Sequence, residues 1–253
     1  MMPTFLQPRA LARPWSLVAC ASVLAISTAA HAQSSPLTVD RIFGAEFRAA
    51  MLPATHWLKD GESFIDVRQG KDGSEIVRTD AVSGKTTVLV PASALVGTDG
   101  TKLMVEDMTL SDDETKALLF HHTERVWRAN TKGQWTVVDI RTGALTPISP
   151  ATTAKMFAKF SPDNRRVAYV RNNDLYVWDI ASGTETRLTT DGSANVINGT
   201  TDWAYEEELG LRDAFRWSPD GKNIAFWRLD QGRVPTMSLV NLTDSLYPRI
   251  EQY

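Results

Sequence analysis

The chain has 253 residues, 43% of them hydrophobic and 23% charged, which is material for an ordinary globular core and excludes disorder, coiled coil and collagen. Its 27 Lys and Arg against 30 Asp and Glu give a net charge of −3, so there is no basic footprint for nucleic acid.

Residues 1–32 read as an export signal. Arg9 and Arg13 form a positive start, Leu17 to Ala30 is a short apolar run, and Ala30-His31-Ala32 supplies a small-x-small cleavage site. The run is too short to span a bilayer comfortably and no stop-transfer pattern follows it, which predicts a periplasmic or secreted protein without stable membrane insertion. Leu17-Val18-Ala19-Cys20 fits a lipoprotein box only superficially, because the apolar stretch mostly follows the cysteine. Removing the segment leaves 221 residues with 25 basic and 30 acidic side chains, a net −5, and takes away Cys20, the only cysteine. Packing alone must then hold the mature chain, with neither a disulfide nor a thiolate metal site.

Beyond the signal, one pattern recurs. Trp57-Leu58-Lys59-Asp60-Gly61, Leu110-Ser111-Asp112-Asp113-Glu114, Phe160-Ser161-Pro162-Asp163-Asn164 and Trp217-Ser218-Pro219-Asp220-Gly221 place Asp60, Asp113, Asp163 and Asp220 at intervals of 53, 50 and 57 residues. Proline fixes φ and Gly or Asn tolerates positive φ, so each opening is predicted to be a reverse turn. Strands follow, as in Val167–Val170 and Ile224–Trp227, and later hairpins turn at Ser83-Gly84, Thr142-Gly143 and Ser182-Gly183. About four short strands per repeat predict an all-β fold: a partial β-propeller of several four-stranded blades over residues 33–253. A two-sheet sandwich would also give short strands, but not this repeat. Three or four units are too few for a comfortable ring, and the pattern is still running at Leu246-Tyr247-Pro248, which predicts a truncated chain or a fragment.

Catalytic signatures are absent. There is no Gly-x-Ser-x-Gly elbow for a serine nucleophile. His56 and the His121-His122 pair lack triad or metal spacing, and adjacent strand residues are expected to face opposite sides. Gly84-Lys85-Thr86 is a hairpin turn, without the upstream glycine of a phosphate loop. No cofactor is implied. Asn198-Gly199-Thr200 and Asn241-Leu242-Thr243 match glycosylation acceptors, an incidental pair.

The unusual segment is Asn198 to Leu209, which breaks strand alternation between two good turn motifs. It predicts a short acidic helix inserted between blades, with Asp202 as N-cap. Successive helical residues project about 100° apart, so of Glu206, Glu207 and Glu208 only an adjacent two can share one target. One reading is a solvated acidic face. The other is a pair of carboxylates holding a cation, best an amine with three donors.

The run Asp202-Trp203-Ala204-Tyr205-Glu206-Glu207-Glu208, followed by Trp217-Ser218-Pro219-Asp220-Gly221-Lys222 and Val234-Pro235, closely resembles the propeller of the dipeptidyl peptidase IV type within the prolyl oligopeptidase family. That resemblance is dense from about Asn195 to Pro235 and looser from Asp40 onward. It implies that the second and third glutamates, here Glu207 and Glu208, clasp the free amino terminus of a peptide. Trp127-Arg128 resembles the family's segment whose arginine enters the active site, which assigns Arg128 to a substrate carbonyl or to positioning the acidic pair. It further implies removal of N-terminal dipeptides with Pro or Ala in the penultimate position, a homodimer for the full-length protein, and a nucleophile on an α/β-hydrolase domain that this chain lacks. These residues bind and position; none is catalytic, and the chain alone is expected to hydrolyse nothing. The alternatives are another exopeptidase of the family, tripeptidyl or acylaminoacyl, and a non-catalytic periplasmic propeller for protein interaction.

Overall fold

The computed structural model describes residues 36–49, 55–149 and 152–252. The signal segment, residues 1–32, lies outside them. The chain divides into two compact units, residues 1–51 and 52–253. Within the first, helix α1 (Val39–Phe43) is N-capped by Thr38, whose hydroxyl accepts from the Arg41 amide, and Arg41 pairs with Glu46 at 2.5 Å. Among the described residues no helix is long and apolar enough to cross a membrane.

The second unit is a succession of antiparallel strands. β1 (Thr55–Trp57), β2 (Ser63–Gly70), β3 (Gly73–Asp80) and β4 (Thr86–Val90) form a four-stranded sheet in chain order. β5 (Val105–Leu110), β6 (Lys116–Val126), β7 (Ala129–Asp139) and β8 (Leu145–Pro147) repeat it, as do β9 (Lys155–Phe160), β10 (Arg166–Arg171), β11 (Asp174–Asp179) and β12 (Glu185–Arg187). The fold class is thus the expected one, with two refinements. The second and third sheets are joined where Lys132 and Gly133 of β7 pair with Met156 and Lys155 of β9. The fourth unit is split: β13 (Val196–Asn198) pairs with β16 (Arg228–Asp230), β14 (Phe215–Trp217) pairs with β15 (Ile224–Phe226), and helix α2 (Trp203–Leu209) intervenes between β13 and β14. A hairpin of β17 (Ser238–Asn241) and β18 (Arg249–Gln252) follows.

The repeat is built by its aspartates. Asp60 accepts from the Glu62 and Ser63 amides, Asp113 from Ser111 and Thr115, Asp163 from Ser161 and Arg165, and Asp220 from Ser218 and Lys222. The next residue is left-handed in all four turns: Gly61 at φ 68°, Glu114 at 58°, Asn164 at 57° and Gly221 at 66°. Glu114 holds that conformation without the freedom of glycine, and its carboxylate accepts from the Lys59 amide of the preceding turn at 2.5 Å. Successive turns are linked in the same way by Asp112 N to Asn164 Oδ1 (3.0 Å) and Arg166 Nη2 to the Gly221 carbonyl (2.7 Å).

The second and third sheets each bury both faces against their neighbours, so the core consists of seams. On β6, Ala117 and Leu119 pack toward the first sheet, while Leu118 and Phe120 pack toward the third. On β10, Val167 and Tyr169 face the second sheet, and Ala168 and Val170 join Phe215 of the fourth unit. Period-two alternation between two apolar faces is why these strands read as nearly continuous hydrophobic runs.

Candidate functional site

Two features leave this frame and meet. The β6–β7 hairpin, 11 residues on each strand, extends as an arm beyond its sheet. Its register shifts between His121 and Glu124 and again before Arg125, and the tip turns through Trp127 at φ 49°. A bulky residue held in the left-handed region marks a tip fixed by its surroundings. Behind it Arg125 Nε donates to the Trp127 carbonyl at 2.8 Å, and Asn130 bonds Glu106 and Thr123 at 3.1 Å each, bracing the arm near its tip against β5.

Helix α2 is the second feature. The Asp202 side chain caps it by accepting from the Tyr205 amide at 3.0 Å, as expected, and its other oxygen accepts from Gln231 Nε2 at 2.8 Å. Gly210 ends it at φ 64°, donating back to the Glu206 and Tyr205 carbonyls. The flanking chain is stapled shut: Thr200 Oγ1 donates to the Arg212 carbonyl (2.8 Å) and Thr201 Oγ1 to the Leu211 carbonyl (2.6 Å). Beneath the staple, Lys159 of β9 pairs with Asp213 at 2.5 Å and lies 3.5 Å from the centroid of the Phe215 ring. Burial drives the Lys159 ammonium down to about 8 against the opposing pull of Asp213.

The three glutamates take three different environments. Glu206 is buried and paired with Arg212 Nε at 2.9 Å. The N–H is not aligned for a hydrogen bond, so charge alone holds this contact. Glu207 is half-buried, and its Oε1 lies 2.7 Å from Nη2 of Arg128 at the tip of the arm. Glu208 is exposed and makes no ion pair among the described residues. The structure therefore brings Arg128 to Glu207, on elements 79 positions apart in sequence, with Glu208 next to them on the helix. A cleft of about 580 Å³ opens alongside, lined by residues including Trp127, Met156, Ile197, Trp203 and Val234. Arg128, Glu207 and Glu208 do not line it, so it is not where their charges converge.

The histidines correct one expectation. His121 and His122 do not face opposite sides: the bulge puts His122 at φ 47° and brings the two Nδ1 atoms to 2.6 Å, while His121 Nε2 meets Thr136 Oγ1 at 2.9 Å. Burial first, then the neighbouring His122 and Lys155, lower the His121 pKa to about 4. Unfolded histidine binds its proton at about 6.5, so stability should fall by on the order of 3 kcal/mol as pH drops from about 6.5 to 4. Urea titrations at pH 7 and 4.5 should show a smaller loss in His121→Gln than in the parent; parallel losses would refute this account. Asn198 is fully buried, its amide donating to the Asn173 carbonyl and Asp191, so it is no glycan acceptor. No group of three or more His, Cys, Asp or Glu side chains among the described residues converges to hold a metal.

The fold and site define a β-propeller segment with an acidic helix inserted within its fourth unit, opposed by an arginine-tipped arm. Residues 111–253 match the family described as the dipeptidyl peptidase IV (DPP IV) N-terminal region, and the chain belongs to that family. Dipeptidyl peptidase 4 of Trichophyton tonsurans is 31% identical over 185 residues, covering 72% of this chain and 23% of that protein. The probable dipeptidyl-aminopeptidase B of Aspergillus niger is 31% identical over 217 residues, covering 79% of this chain and 24% of that one. The crystal structure of Porphyromonas gingivalis dipeptidyl peptidase 4 superposes with a TM-score of 0.75 at 30% identity, over 87% of this chain and 31% of that structure. The chain thus spans about a quarter of the length of these two curated relatives.

Sequence reasoning missed the Glu206–Arg212 pair, the Gln231 contact to Asp202 and the Lys159–Asp213 pair. Only the first left a local trace, an arginine just past the Gly210 stop signal.

Proposed function

We propose that this chain is the substrate-recognition part of a serine-type dipeptidyl peptidase, in which Glu207 and Glu208 clasp the free α-amine of a peptide and Arg128 orients the pair. The Arg128–Glu207 contact at 2.7 Å carries this reading, because it draws an arm of the second sheet and the inserted helix to one point. Two carboxylates and one guanidinium leave a net charge of −1, which a single ammonium neutralises. With a pKa of about 8 the α-amine is mostly protonated at neutral pH and offers three donors. Holding it fixes how far along the peptide a nucleophile elsewhere in the full-length protein can act, which converts general peptide-bond cleavage into removal of dipeptides. The penultimate preference for Pro or Ala belongs to that other domain's pocket. Export to the periplasm or beyond, and a homodimeric full-length enzyme, complete the proposal.

Calorimetric titration of the full-length protein, its nucleophile silenced, with Ala-Pro-amide and with acetyl-Ala-Pro-amide tests the clasp. Acetylation removes the charge and two donors, so affinity should drop roughly 100-fold. Equal affinities would refute the reading.

A further inference from the structure

We propose that Arg212 is a positioning residue: by holding Glu206 on the buried side of α2, it keeps Glu207 and Glu208 turned toward the amine. The inference rests on the clasp reading above. Glu206, Glu207 and Glu208 are successive, so a rotation of the helix that moves one carboxylate moves all three, each about 100° from the next. Glu206 is 91% buried, and Arg212 is the cation paired with it. The carbonyls of Leu211 and Arg212 are tied to the threonines that precede the helix, so the Arg212 backbone is fixed relative to the helix start.

A buried carboxylate that loses its partner and stays ionised must find another or turn outward to water. Among the described residues the other guanidinium paired with this helix is Arg128, already engaged by Glu207. Either escape disturbs the clasp: stealing Arg128 releases the arm, and turning outward rotates Glu207 and Glu208 off their target. Arg212 touches neither the amine nor the scissile bond and acts only through Glu206.

The test uses the full-length peptidase and an Ala-Pro chromogenic amide. Arg212→Met should raise KM roughly 10- to 100-fold with kcat within about twofold, the mark of misplaced ground-state binding. Adding Glu206→Gln removes the stranded charge and should bring KM back to within about threefold of the parent; Arg212→Lys should also recover most of the loss. A lower melting temperature in Arg212→Met with KM unchanged would overturn the inference, and so would a double variant as impaired as the single one. Should Arg212→Met fail to fold, the double variant decides by the same threefold limit. Glu207→Gln separates the two levels: unchanged KM there defeats the clasp itself, whereas raised KM there with normal KM in Arg212→Met defeats only the role of Arg212.

Discussion

Replacing Glu207 by Gln in the full-length peptidase should lower kcat/KM for dipeptide amides with a free amine by roughly 100-fold or more, about 3 kcal/mol. The substitution keeps the shape of the side chain but removes its charge. Glu207 has two cationic partners in the proposed complex, the incoming ammonium and Arg128, whose Nη2 lies 2.7 Å away. Glu208→Gln loses only the ammonium, since no second ion pair holds it among the described residues, and should cost less. Arg128 is three-quarters exposed, so solvent limits what its pair contributes before substrate arrives. Covering by bound peptide would strengthen the same contact. Steady-state kinetics on both variants decide the matter: rates within twofold of the parent in each would remove these carboxylates from substrate recognition.

Phe215→Ala should destabilise the protein by about 4 kcal/mol. The ring is 1% exposed and packs with Met156, Ala168, Val170 and Leu175 of the third sheet. It also covers the Lys159 ammonium at 3.5 Å, a position where truncation removes a cation–π contact as well as apolar burial. Phe215 begins the strand that follows the α2 excursion, so its anchoring determines where Arg212 and Asp213 sit. Chemical denaturation followed by tryptophan fluorescence measures the effect, and a loss under 1 kcal/mol would show that the third sheet and the fourth unit do not share a core.

What the sequence disclosed was local. The Ser-Pro-Asp-Gly and Ser-Gly turns announce themselves because the aspartate accepts from groups only two or three residues away, and a left-handed residue follows at a fixed offset. The Asp202 cap and the Gly210 stop make α2 equally legible. Interactions set by the stacking of sheets leave no such trace. Arg128 stands out only through family resemblance, because nothing near Trp127-Arg128 records that a helix 79 positions later will face it. The His121-His122 contact is hidden from the sequence for a different reason. Alternation holds for regular strands, and a bulge at His122 breaks it. The same bulge launches the arm, so a local irregularity invisible to pattern reading places the arginine.

The hydrogen bonds that pass from turn to turn, from Lys59 to Glu114, Asp112 to Asn164 and Arg166 to Gly221, run only between consecutive units. Cooperativity in such an array is a nearest-neighbour property, as in a one-dimensional lattice, and a defect decays with each coupling it must cross. The acidic helix sits three turn-to-turn couplings from the first sheet, and two by way of the second sheet's arm, whose Arg128 meets Glu207. Sequence drift in that sheet, if it spares the seam with the second sheet, can therefore accumulate with little penalty at the acidic triplet, which leaves the outer blade free to evolve new surfaces while the triplet keeps its setting.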